Sequence, residues 1–123
     1  MQEAPTRPET AQRRRTLFLE AAAIVADEYD RKLTLHSVAR RIATSPRQLQ
    51  RAFAEAGDTA FSEYLTEVRM RRAAEMLRSG RPVHQVAHAV GYRQAGQFAK
   101  TFRRRHGATP SRAATAAPVA SVK

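Results

Sequence analysis

Arg47, Gln50 and Arg51 fall at i, i+3 and i+4, so a helix through them carries all three on one face. Each is long and ends in hydrogen-bond donors. Such groups can meet base edges in a major groove, Arg as a fork on guanine and Gln as an amide on adenine. A second donor-bearing series, Gln94, Gln97 and Lys100, follows farther along. Around both series lie residues suited to phosphate: Arg40, Arg41 and Gln48 near the first, Arg93, Arg103, Arg104 and Arg105 near the second. Phosphate contacts fix register without reading sequence.

Other chemistry is poorly supported. His84 and His88 have the i, i+4 spacing that can chelate zinc, but position 85 is Gln and no third ligand suggests itself. There is no cysteine, which removes disulfides, thiolate metal sites and thiol nucleophiles. No Ser-His-Asp order, carboxylate pair or phosphate-cradling glycine loop is evident, so no enzyme, cofactor or metal is expected. Phe53, Phe98 and Phe102 could stack on single-stranded bases. Their helical spacing with Leu49 and the valines assigns them to a core instead.

Charge points to a polyanionic partner. The 123 residues carry 22 Lys plus Arg against 11 Asp plus Glu, a net +11, and no acid follows Glu75. No apolar run approaches the roughly 20 residues of a membrane span, and the N-terminus lacks a secretory core. The expectation is a cytoplasmic, nucleoid-associated protein.

The donor faces need helices to hold them. Thr34 can cap a helix whose apolar stripe is Leu35, Val38, Ala39 and Ile42. Ser45 and Pro46 then suit the N-cap and first position of a second helix, which turns Leu49, Ala52 and Phe53 inward. Together these read as a helix-turn-helix. Arg13 to Asp30 predicts a preceding helix, with Leu17, Ala21, Ile24 and Val25 inward and Tyr29 closing it against the core. Gly57 reads as a C-terminal cap. Thr59 opens a helix to about Arg78, spanning roughly 30 Å at 1.5 Å per residue.

The opening pattern then recurs. Val83, Val86, Ala87 and Val90 repeat the first stripe with an offset of 48, Phe98 and Phe102 repeat Leu49 and Phe53 with an offset of 49, and Gly107 and Thr109 repeat Gly57 and Thr59 with an offset of 50. A repeat that drifts only in its turns signals two copies of one supersecondary unit. The fold class is all-α: two helix-turn-helix subdomains joined by a long connecting helix. The boundaries are a disordered tail over 1–12, a first subdomain over 13–57, a connecting helix over 58–79, a second subdomain over 80–112 and a disordered tail over 113–123.

Across Arg15 to Arg112 the chain resembles the DNA-binding domain of the AraC/XylS family of bacterial transcription regulators. Val86, Ala87, Gly91, Tyr92, Phe98, Phe102, Gly107, Thr109 and Pro110 carry the resemblance in the second unit, and Tyr64, Arg69, Ala74 and Leu77 carry it in the connecting helix. The resemblance implies a homeodomain-like fold and two recognition helices in successive major grooves on one side of the DNA. It also implies RNA polymerase as a partner. The chain looks like the small stand-alone members, in which two units in one chain replace a dimer, so binding as a monomer is expected. Met1 fits a whole product.

Two departures stand out. Ala113-Ala114 replace the family's usual Tyr-Arg, which predicts looser docking of the last turn. Ala95 and Gly96 stand where larger polar residues are common, and Gly inside a helix costs about 1 kcal/mol relative to Ala. The second unit is therefore expected to hold phosphate more than it reads bases. The leading reading is a sequence-specific regulator that binds double-stranded promoter operators. The alternatives are a nonspecific architectural DNA- or RNA-binding protein, or the DNA-binding part of a longer effector-responsive regulator.

Overall fold

The structure, a computed structural model, describes residues 8–115, all of whose regular elements are helical. They are α1 (Pro8–Glu28), α2 (Leu35–Arg41), α3 (Pro46–Ala56), α4 (Phe61–Arg78), α5 (Val83–Ala89) and α6 (Ala95–His106), with a short α7 over 110–115. None of these helices is long and apolar enough to cross a membrane. The chain divides into two compact units, Met1–Glu28 with Leu33–Leu65, and Tyr29–Lys32 with Thr66–Lys123.

In the first unit, α1 starts five residues before the expected Arg13. Residues 8–12, assigned from composition to a disordered tail, are helical. Pro8 has no N–H to leave unpaired at a helix start, and Glu9 suits the positive end of the helix dipole. The rest of that tail, residues 1–7, lies outside the described residues. Leu17, Ala21 and Val25 of α1 are buried with Val38, Ala39, Leu49, Ala52 and Phe53. Phe53 is the centre of this core. The rings of Phe18, Phe61 and Tyr64 meet it edge-on at 5.0, 5.4 and 5.6 Å. Two ion pairs tie the rim, Arg14 to Glu55 and the Arg41 fork to both oxygens of Glu28.

Gly57 is the C-cap of α3, but its φ is −107°. The left-handed residue is its neighbour Asp58, at φ 53°. Gly57 answers a different need: a Cβ there would run into the ring of Phe18. The copy in the second unit, Gly107, does take a positive φ, 76°, with open space around it.

The second unit buries Met70, Ala73, Ala74 and Leu77 of α4 with Val86, Ala87, Val90, Phe98 and Phe102. The stripe on α4 thus shifts phase. It runs 61, 64, 65, 68 at the start and 70, 73, 74, 77 afterwards. Tyr29, expected to close α1 against the core, packs against this second core. Arg69 explains the capture of its loop: Nε donates to the Tyr29 carbonyl at 2.7 Å and Nη2 to that of Arg31 at 2.9 Å. The helix over 110–115 runs past the expected boundary at 112. Ala113 and Ala114 are partly buried against the core, so this turn docks despite its small side chains. Residues 116–123 of the expected C-terminal tail lie outside the described residues.

The duplication holds at the level of hydrogen bonds. In the first unit the Ala43 N–H donates to the Arg40 carbonyl at 3.2 Å and the Thr44 N–H to Ala39 at 3.0 Å. In the second, Gly91 donates to His88 at 3.0 Å and Tyr92 to Ala87 at 2.9 Å. Both are Schellman closures, with the positive-φ residue next to the C-cap.

Candidate nucleic-acid interface

Local chemistry holds α3 in place. The Ser45 hydroxyl accepts from the Gln48 N–H at 3.1 Å, and Pro46 occupies the first turn. Upstream, Thr34 and Ser37 form a reciprocal capping box on α2, with both bonds at 3.0–3.1 Å. With Leu49, Ala52 and Phe53 wholly buried, the opposite side of α3 carries exposed Arg47, Gln50 and Arg51. None of these three is held by a hydrogen bond or ion pair to other described residues. Gln48 is exposed as well, on the side that borders a hollow shared with Thr10 and Arg13 of α1. Arg40 is exposed at the end of α2. Arg41 is already engaged: its bond to Glu28 and the charge attraction behind it hold the guanidinium more firmly protonated than usual.

The second unit presents its residues differently. Helix α6 begins at Ala95, so Gln94 is its N-cap, with extended backbone and no side-chain cap bond. Gln94 therefore precedes the helical face that carries Gln97 and Lys100, and Arg93 lies one residue earlier; all four are exposed. Gly96 sits in the first turn, where backbone N–H groups have no intrahelical partners. The cost expected of an interior glycine therefore falls away in part. Phe98, Thr101 and Phe102 face inward. Lys100, Arg103 and Arg104 line a hollow of about 480 Å³ with Ala99 and Thr109, and Arg105 is exposed in the same last turn. His84 and His88 are exposed on α5.

Two residues passed over in the sequence matter here. The ring of His106 stacks 4.4 Å from Phe102, and its Nε2 lies 3.3 Å from the Met70 carbonyl, fixing the end of α6 to α4. The i, i+4 spacing of Phe102 and His106 was the available signal. Thr101 is buried, a polar position on an apolar face.

The charge divides unequally. The segments of the first unit hold 8 Arg or Lys and 8 Asp or Glu; those of the second hold 14 and 3. The whole excess of +11 therefore belongs to the second unit. The first offers a neutral body with a firmly capped donor face, the second a strongly cationic one.

The helix-turn-helix domain family matches residues 38–116. Among curated relatives, the chain is 37% identical over 87 residues to the uncharacterised HTH-type transcriptional regulator YpdC of Escherichia coli K12, covering 70% of this chain and 30% of that protein. It is 33% identical over 104 residues to the regulator YijO of the same organism, covering 84% and 37%. The chain thus spans about a third of the length of these relatives. A solved regulator from Chromobacterium violaceum, described as containing an AraC-type DNA-binding domain, superposes with a TM-score of 0.78 at 25% identity, covering 83% of this chain and 92% of that one. The chain belongs to the helix-turn-helix family of AraC-type transcriptional regulators.

Proposed function

We propose that this chain binds double-stranded DNA by sequence and regulates transcription, with α3 and α6 as recognition helices in two major grooves. The observation that carries the reading is the free, exposed face of Arg47, Gln50 and Arg51 on a helix whose start is fixed by Ser45 and Pro46. A preorganised donor face suits direct readout of base edges. Gln97 and Lys100, with Gln94 at the helix start, serve the second groove. Arg93, Arg103, Arg104, Arg105, Arg40 and Gln48 hold phosphate, and Arg41 joins them by exchanging Glu28 for DNA. Two units in one chain let a monomer do what ordinary helix-turn-helix proteins do as dimers. RNA polymerase is the partner in promoter control, and the cytoplasm is the compartment.

The charge alone would equally serve a nonspecific binder, so the test separates the two kinds of contact. Arg51→Ala is expected to relax preference at one base pair, at about 1–3 kcal/mol. Arg104→Ala is expected to weaken every duplex alike and flatten the salt slope by about one unit. Equal loss on all sequences from both variants overturns the assignment.

A further inference from the structure

Within the second unit, the loop 29–32 and the turn after α5 enclose an open crevice of about 650 Å³. Arg31, Lys32, Arg69, His88 and Arg93 line it, and Asp30 is the sole carboxylate. Arg69 is immobilised there, with Nε and Nη2 on the Tyr29 and Arg31 carbonyls and its guanidinium carbon 5.8 Å from the centre of the Tyr92 ring. Gly91 keeps the wall thin: a Cβ there would stand 3.3 Å from the Arg69 guanidinium and 3.2 Å from the Asp30 carbonyl. Arg31, Lys32 and Arg93 are exposed and make no hydrogen bond or ion pair through their side chains to other described residues.

We infer that this crevice takes a phosphate group, held by the side chains of Arg31 and Lys32 together with Arg93. Converging cations with one opposing carboxylate suit an oxyanion, and the Arg fork matches phosphate geometry. Arg69 is the fixed floor that positions the loop. Arg93 immediately precedes the N-cap of α6, so the crevice opens beside the start of the second recognition helix. This deepens the DNA reading and rests on it: the phosphate is one of the DNA backbone, and loop 29–32, read from the sequence only as a connection, becomes part of the grip.

The test is the double variant Arg31→Gln/Lys32→Gln. Arg69 bonds the loop through backbone carbonyls, so an unchanged melting temperature is expected. Affinity for a preferred duplex, measured between about 0.05 and 0.2 M salt, should lose about 0.9 of log–log slope per phosphate released, with the ranking of duplex sequences unaltered. In a second arm, without DNA, inorganic pyrophosphate is titrated while the Gly91 and Tyr92 amide signals are followed. A flattened slope supports the crevice and names DNA as the source. An unchanged slope with saturable shifts that the variant lacks supports it and names a free phosphate compound. An unchanged slope without such shifts overturns it. A parent protein that binds no duplex overturns the DNA reading itself, and the pyrophosphate arm then decides the crevice alone.

Discussion

Ala43 and Gly91 stand at the same place in the two copies of the helix-turn-helix, and both adopt positive φ, 56° and 99°. The Schellman closure demands that conformation whichever residue fills it. Alanine is strained there, while glycine is not, though glycine surrenders more freedom on folding. Ala43→Gly is therefore expected to shift stability by less than about 1 kcal/mol, in the stabilising direction. Gly91→Ala is expected to cost about 1–3 kcal/mol, because its Cβ also crowds Arg69 and the Asp30 carbonyl. Urea denaturation of the two variants checks the opposite signs.

Arg69 fastens loop 29–32 by two bonds to backbone carbonyls. Lysine has no fork with which to reach both. Arg69→Lys is expected to lose about 1–3 kcal/mol of stability while leaving the base preference of α3 unchanged. Thermal unfolding and a duplex panel read the two effects separately. Altered preference at α3 sites would contradict a purely positioning role.

The two units are unequally capped. Ser45 and Thr34 close the helix starts of the first, whereas Pro82 and Gln94 make no side-chain cap bond in the second. Ser45→Ala should cost about 1 kcal/mol, and Gln94→Ser should recover up to about 1 kcal/mol. Native-state amide exchange should be faster in the first turns of α5 and α6 than in those of α2 and α3.

Phe53 is fully buried among three edge-on rings, and Phe18 lies against Gly57. Phe53→Ala is expected to cost about 3–5 kcal/mol. Gly57→Ala forces the Phe18 ring to move and should cost about 1–3 kcal/mol through overpacking. A Gly57→Ala protein as stable as the parent would contradict the close approach.

Much of this architecture is written locally in the chain. The caps at Thr34 and Ser45, the stripes through Val38 and Val86, and the inward Phe53, Phe98 and Phe102 all follow from helical period and cap chemistry. The features that escaped are those set by distant partners. Tyr29 joins the second core because Arg69, forty residues on, holds its carbonyl. Met70 is buried two residues after Val68 because the buried face of α4 changes phase along the helix. Gly57 looks like a left-handed cap, yet Phe18 is what requires it. At the candidate interface, exposure of the Arg47 face could be read from period alone. The engagement of Arg41 by Glu28 could not, since that pairing depends on how α1 meets α2.

Selection of binding sites from a pool of randomised duplexes decides whether α3 and α6 read sequence. One consensus should be enriched, with two conserved clusters about one helical turn apart. Repeated with Arg51→Ala, the selection should lose conservation at a single base pair of one cluster. A pool that stays random at physiological salt, or an Arg51→Ala consensus identical to that of the parent, would contradict base reading by these helices.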